Sequence, residues 1–299
     1  MSDVSYHSLE EAVAVCFGEG VSIREVSFVG GGDINEARCL KLSSGEEVFV
    51  KSNTAANHRF FEAEEQGLRA IAATCTIPTP HLLCRGVDAE KNSSFLMLEM
   101  IRSGRMAADF WEHFARSLAA MHRADTQGFV EGGRFGFAGD NYIGASVQHN
   151  TPRDSWIDFF RQCRLEPQVK IAQGYFDAAL LRGILRLLDR LDELLIEPEH
   201  PSLIHGDLWS GNFMVGADGQ ALLIDPAAYV GHAEADLAMT QLFGGFDAAF
   251  YVAYREAAPL EPGYEDRRDL YNLYHLLNHL NLFGGGYLGA VAEIVRRYS

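Results

Sequence analysis

Basic residues are scarce in this chain: lysine and arginine number 25 against 41 aspartates and glutamates, a formal net charge of −16. A surface so acidic repels phosphate backbones and anionic headgroups, so neither nucleic acid nor membrane is expected as a partner. An anionic small molecule stays compatible, because a local site can be positive on an acidic protein. No apolar run approaches the ~18 residues that a spanning helix requires. Cysteine is also sparse. Cys16, Cys39, Cys75, Cys84 and Cys163 are odd in number and form no CxxC pair, which argues against a disulfide framework and for a reducing cytoplasm. The first residues, MSDVSYHSLEEAVAVCFG, lack a basic segment followed by an apolar one and read as a capped amphipathic helix. Internal repeats and low-complexity tracts are absent as well.

What remains is a globular balance, 47% hydrophobic and 22% charged, long enough at 299 residues for one large domain or two smaller ones. The first hundred residues are strand-rich. IREVSFV and EARCLKL flank the glycine run GGGDIN, and EEVFVKS follows the turn SSGE. FFEAEEQGLRAIAA then has helical spacing, with Phe61, Glu64, Leu68 and Ile71 on one face. IPTPHLL reads as a proline-punctuated connection, and SSFLMLEMI as an apolar strand ending near residue 101. Helices dominate beyond, over MAADFWEHFARSLAAMHRA, FDAALLRGILRLLDRLDELL and RRDLYNLYHLLNHLNLF. The expectation is an α+β, bilobal arrangement: residues 1–101 as a β-rich lobe, 102–299 as a larger helical lobe, and a cleft between.

The segment LIHGDLWSGNFMVGADGQALLIDP, residues 203 to 226, interrupts the helices with two short strands around a turn from Gly216 to Gly219. It carries the chemistry. Phosphoryl transfer from a nucleotide asks for a base toward the attacking hydroxyl, ligands for magnesium, and a cation on the phosphates. Asp207 and Asn212 keep the D-x-x-x-x-N spacing that sets a base and a metal ligand on one loop. ALLIDP delivers Asp225 at a strand end, and oxygen ligands of this kind suit Mg2+ rather than zinc. His205, two residues before Asp207, is expected to brace the loop rather than move protons. Lys51 in VFVKS supplies the cation. Its partner should be an acid turned inward on the following helix; of Glu62, Glu64 and Glu65, only Glu64 falls on the apolar stripe, where a carboxylate is costly unless paired. Gly31 and Gly32 sit where a hairpin would cover phosphates with backbone N–H groups, although GGG is not G-x-G-x-x-G.

GGGDIN, VFVKSN, FEAEEQGLRAI, FLMLEM, DNYIGASVQHN, HGDLWSGN, IDPAAYVGHAEADLAMTQLFGGF and YHLLNHLNLFGGGY together make the chain resemble the fructosamine kinase (ketosamine-3-kinase) family. The likeness spans nearly the whole sequence. It implies the bilobal fold shared by aminoglycoside phosphotransferases and protein kinases, and an ATP- and Mg2+-dependent kinase acting on the 3-hydroxyl of a small-molecule ketosamine or glycated amine. Asp207 would be the base, Asn212 and Asp225 the magnesium ligands, and Lys51 with Glu64 the phosphate-binding pair. Glu99, Met100 and Ile101 would belong to the hinge whose amides meet adenine, and Asp236 would brace the catalytic loop. Some family members carry a cysteine in the glycine-rich loop, linked to redox control. Asp33 stands there in this chain, so that regulation is not expected.

On the substrate side, Trp209 follows the base by two residues and is suited to stack on a sugar. Asn141 and Tyr142, in DNYIG, resemble a family segment near the substrate, although by themselves they read as a turn. His275 and His279 lie one helical turn apart; without a third ligand they are read as lining the cleft or as satisfied by helix neighbours, with His275 assigned to the substrate. Alternative acceptors are an aminoglycoside, choline or a free sugar, and a different class again is a nucleotide-binding regulator with little catalysis.

Overall fold

The computed structural model describes residues 5–30 and 35–299, so Gly31, Gly32 and Asp33 lie outside the described residues. A six-stranded sheet, in the order β1-β5-β6-β4-β3-β2, forms the N-terminal part. Its strands are β1 (Ser5–Tyr6), β2 (Ile23–Phe28), β3 (Glu36–Leu42), β4 (Glu47–Thr54), β5 (Leu82–Asp88) and β6 (Ser93–Glu99). All neighbours pair antiparallel except the two-residue β1, which runs parallel to β5.

The sheet is covered on both faces, and strand alternation decides what each face sees. On one face Val48 and Val50 of β4 pack with Phe95 and Met97 of β6 against Ala12 and Val13 of helix α1 (Leu9–Phe17). That helix starts where the sequence suggests: the Ser8 hydroxyl accepts from the Glu11 amide at 3.0 Å, and the Glu11 carboxylate accepts from the His7 amide at 2.7 Å. The other face, with Leu96 and Leu98, packs on Phe61 and Leu68 of α2 (His58–Ala73). Burying those two side chains contributes about 1.5–3 kcal/mol each. Because Lys51 is odd-numbered like Phe49, it points to the α2 face, where Glu64 waits.

A second, larger core holds the rest of the chain together. Helix α3 (Phe110–His122) leads to the hairpin β7 (Asn141–Ile143) and β8 (Ser146–Gln148). Helix α4 (Trp156–Phe159), a π-helical stretch Phe160–Leu165 and α5 (Glu166–Ala172) come next, followed by α6 (Ala178–Asp189) and α7 (Leu191–Leu194). Two small antiparallel pairs then carry the catalytic-type segment: β9 (Ser202–Ile204) with β12 (Tyr229–Gly231), and β10 (Phe213–Val215) with β11 (Ala221–Leu223). The chain finishes with α8 (Ala233–Leu242), α9 (Ala248–Ala257), α10 (Tyr264–Phe283) and α11 (Leu288–Tyr298).

Three local readings are corrected. Leu82 and Leu83 do not belong to a mere connection; they open β5, whose partner β6 is supplied by residues further along. DNYIG is not a plain turn but the first strand of a hairpin that reverses at Gly144, where φ is +60°. The long helix expected over residues 176 to 195 is two helices, α6 and α7, broken at Arg190. Among the described residues no helix is long and apolar enough to cross a membrane.

Candidate active site

The segment between β9 and β10 is held by its backbone. Gly206 adopts φ +80°, and a Cβ there would run into the Ala227 carbonyl oxygen, so only glycine fits this bend. Asp236, in the first turn of α8, accepts the His205 amide at 2.6 Å and the Gly206 amide at 2.8 Å. His122 Nε2 donates to the same carboxylate at 3.2 Å while its Nδ1 meets the Tyr254 hydroxyl at 2.7 Å. Burial alone would raise Asp236, but His122, His205 and the backbone hydrogen bond outweigh it and hold the carboxyl below its ordinary value. Both ring nitrogens of His205 are engaged: Nε2 with the Ile224 carbonyl at 2.9 Å and Nδ1 with the Asp207 amide at 3.3 Å. Burial also lowers its pKa, so the imidazole is neutral and acts as a strut between the loop and the strand leading to Asp225.

Asp207 thus emerges from a rigid bend. Asn212 Nδ2 donates to its carbonyl at 2.8 Å and to its Oδ2 at 3.1 Å, closing the five-residue loop. Burial drives the Asp207 carboxyl up to about 7; the Asn212 hydrogen bond opposes this and Asp225 adds to it. Such a carboxyl is poised as a base near neutral pH. Asp225 sits with φ +54° at the end of the short ladder that Ile224 extends by donating its amide to the Asn212 carbonyl at 3.1 Å. A non-glycine residue in left-handed backbone is strained, and strain of this kind collects at functional sites.

Lys51 bridges the two parts of the molecule. Its Nζ donates to Glu64 Oε1 at 2.7 Å and contacts Asp225 Oδ1. Burial would lower the ammonium, yet Glu64 and Asp225 raise it well above its ordinary value. The competing acids of α2 are employed elsewhere: Arg85 of β5 meets Glu65 at 2.5 Å and Glu62 at 3.1 Å.

These groups line one cavity of about 690 Å³. Glu99, Met100 and Ile101 form part of its wall, as does Gly30. The Glu99 amide is spent on the His81 carbonyl at 2.9 Å. The amides of Met100 and Ile101 carry no hydrogen bond among the described residues, which makes them the pair open to a ligand. An oxygen-rich metal environment fits Asn212 and Asp225, but no cluster of three or more His, Cys, Asp or Glu forms a metal cage among the described residues. Any Mg2+ held by these two residues would complete its shell with phosphate oxygens and water.

Of the substrate-side candidates, Trp209 and Tyr142 line the cavity, Trp209 39% exposed and Tyr142 edge-on to Phe60 at 4.2 Å. Asn141 borders it too, but its amide is committed to the Ala228 carbonyl at 2.8 Å and its oxygen to Gln148 and Asn150. It therefore helps to build the cavity wall, with one of its two N–H donors and its oxygen engaged within the protein. His275 is buried with Nδ1 at 4.0 Å from Asp207 Oδ1 and without a hydrogen-bond partner there. Burial and His279 push its pKa down to about 3, so it faces Asp207 as a neutral ring. Sequence reasoning did not pick out Phe243 and Phe283. Both are exposed and stand just before glycine runs at helix ends, in LFGGF and LFGGGY; Phe283 lines the cavity and Phe243 packs on Trp209.

A family model described as fructosamine kinase matches residues 5–299. The chain belongs to the fructosamine kinase family. A probable ketoamine kinase of Synechocystis sp. is 41% identical over 301 residues, 99% of this chain and 97% of that protein. The chloroplastic protein-ribulosamine 3-kinase of Arabidopsis thaliana is 39% identical, covering 94% of this chain and 84% of its own length. The solved structure of a candidate fructosamine-3-kinase from Thermobifida fusca superposes with a TM-score of 0.83 at 33% identity, 98% of each chain covered. An aminoglycoside phosphotransferase solved with ADP and hygromycin B shares the fold, TM-score 0.60 at 17% identity over 96% of this chain and 98% of that one. The α+β kinase-like fold expected of a fructosamine kinase family member is therefore the one observed.

Proposed function

We propose that this protein is an ATP-dependent kinase that phosphorylates the 3-hydroxyl of ketosamines, fructosamine- or ribulosamine-type adducts of amines. The observation that carries the reading is a single cavity holding Asp207, Asn212, Asp225 and the Lys51–Glu64 pair. In this reading residues 1–101 form a lobe that binds the nucleotide, with the Met100 and Ile101 amides toward adenine, and residues 102–299 bind the sugar. Lys51, kept cationic by Glu64, orients the phosphates. Asn212 and Asp225 would hold Mg2+, which would supply charge neutralisation at the transferring group. Asp207 accepts the hydrogen bond of the 3-hydroxyl and takes its proton as the oxygen attacks, with Asp236 and His205 fixing its direction. A 3-phosphorylated ketosamine is labile and releases its amine, so the activity amounts to deglycation. With five free thiols among the described residues, a reducing compartment such as the cytoplasm suits it.

The test is magnesium-dependent ADP release with a fructosamine, a ribulosamine, an aminoglycoside, choline and free fructose. Turnover on a ketosamine that disappears in Asp207→Asn supports the reading. Turnover confined to choline or an aminoglycoside overturns the acceptor, and nucleotide binding without turnover on any acceptor points to a regulator.

A further inference from the structure

Trp209, His279 and Phe283 line the cavity that holds Asp207, and Phe243 and Tyr287 pack against them. Trp209 stands 6.4 Å from Phe243 between ring centres, Phe243 5.0 Å from His279, and His279 5.4 Å from Phe283 and 5.1 Å from Tyr287. Trp209, Phe243 and Phe283 are exposed, at 39%, 43% and 57%, where a packed core would have covered them. The Trp209 ring lies over Gly211, so close that no Cβ would fit beneath it. Two helices end at this ring. α8 stops at Leu242 and α10 at Phe283, and neither has a basic residue in its last turn. Each therefore directs partial negative charge at the rim with nothing on its own last turn to neutralise it. His279 adds no positive charge, since burial lowers its pKa. Aromatic faces and helix C-termini both favour a cation.

We propose that this rim, Trp209, Phe243, His279 and Phe283 with the ends of α8 and α10, recognises the substrate's ammonium and the apolar stem attached to it. The inference rests on the ketosamine reading above. In a ketosamine the amine nitrogen is four bonds from the reacting oxygen, so it lies within about 5 Å of a hydroxyl placed at Asp207. The side toward Lys51 and Asp225 belongs to the phosphates. The amine must therefore point the other way, over Trp209 and into the rim. Beyond it Gly244, Gly284, Gly285 and Gly286 have open space around them, so a long amine substituent passes out to solvent.

The experiment compares the fructosamine of an alkylamine, cationic at neutral pH, with its N-acetyl analogue, which is neutral. It uses the wild type, Phe243→Leu/Phe283→Leu and Phe283→Tyr. Calorimetry with hexyltrimethylammonium and hexanol provides a sugar-free readout. The wild type should prefer the cationic substrate at least tenfold in kcat/KM. The double leucine variant should cut that preference to within threefold through KM, and Phe283→Tyr, which keeps the ring, should retain it. Turnover with a preference that the double variant leaves untouched overturns the rim while the ketosamine reading stands. If no ketosamine turns over but hexyltrimethylammonium binds in a ring-dependent way, the cation site stands and the acceptor reading falls. With neither turnover nor cation binding, both fall.

Discussion

Asp207→Asn should make the protein more stable while removing its turnover. Burial lifts the carboxyl from 3.8 to about 7, with one hydrogen bond from Asn212 opposing. A pKa raised in the folded state means that the native protein holds the proton more tightly than the unfolded chain. The stability tied to this proton is fully present below pH 4 and is lost as pH rises through the window from 3.8 to 7. At ~1.4 kcal/mol per pH unit, that window amounts to about 4 kcal/mol above pH 7, and to about 1.7 kcal/mol at pH 5. A neutral amide of the same shape has no such dependence. Urea unfolding of both proteins at pH 5 and pH 8 reads the difference directly, because every other titrating group is common to the two and cancels. The advantage of D207N should grow by about 2.5 kcal/mol between the two conditions. Magnesium nucleotide should shrink it, since a cation beside the wild-type carboxylate favours the ionised form. An advantage that does not change with pH, or a wild type that is the more stable at pH 8, would refute the argument that Asp207 is strained by burial.

In the proposed mechanism the same carboxyl sets the acid side of catalysis: Asp207 must be ionised to accept a proton, so kcat/KM for nucleotide should fall as pH drops through about 7. A pH profile at saturating metal nucleotide should show that limb displaced downward, and a flat profile from pH 5 to 8 in both series counts against Asp207 as the base. Lys51→Met leaves Glu64 buried without its 2.7 Å partner and should cost about 3 kcal/mol in urea unfolding, part of which Glu64→Gln restores in the double variant. Asp236→Asn weakens the charge-assisted bonds to the amides of 205 and 206 by about 2 kcal/mol. Faster hydrogen exchange at those amides should accompany a fall in kcat. Because the Asp236 carboxyl sits below its ordinary value, its own contribution to stability persists above that value and is lost only in more acid solution.

What the sequence revealed and what it hid divide along the range of the interactions. The choice of Glu64 over Glu62 and Glu65 followed from local periodicity, since a buried carboxylate on an apolar stripe demands a cation. What was not legible is why the other two acids are harmless: Arg85 takes both, and Arg85 lies on β5, a strand passed over because its flanking prolines look like a loop. The Asn141 hairpin is hidden for the same reason. Its three-residue strands have no apolar pattern of their own and depend on a buried polar network, in which Gln148 Nε2 donates to the Asn141 side chain and to the Ala227 carbonyl at 2.9 Å. Arg164 supports that network from below, donating to Asn150 at 2.7 Å with its guanidinium 3.7 Å from the centre of the Tyr229 ring. Apart from the Gln148–Asn141 bond within the hairpin, these contacts join residues far apart in the chain.

The assignment of roles to the aspartates shows where geometry adds what composition cannot. Asp207 and Asp236 are the same residue type, the first half-buried and the second buried, and the chemistry of a carboxyl alone would let either serve as base. Their surroundings push them apart. Asp236 receives two backbone amides and the His122 ring, so its charge is satisfied and it has no affinity left for a proton. Asp207 receives one side-chain amide and faces the neutral His275 across 4.0 Å, so its charge is poorly answered and it seeks a proton. A pair of titratable groups driven in opposite directions by their environments fits the proposed division into a support, Asp236, and a base, Asp207. The support also holds the base: the two amides that Asp236 captures belong to the bend immediately preceding Asp207. A loop free to move would relax the carboxylate into solvent, and the pKa near 7 would be lost with it.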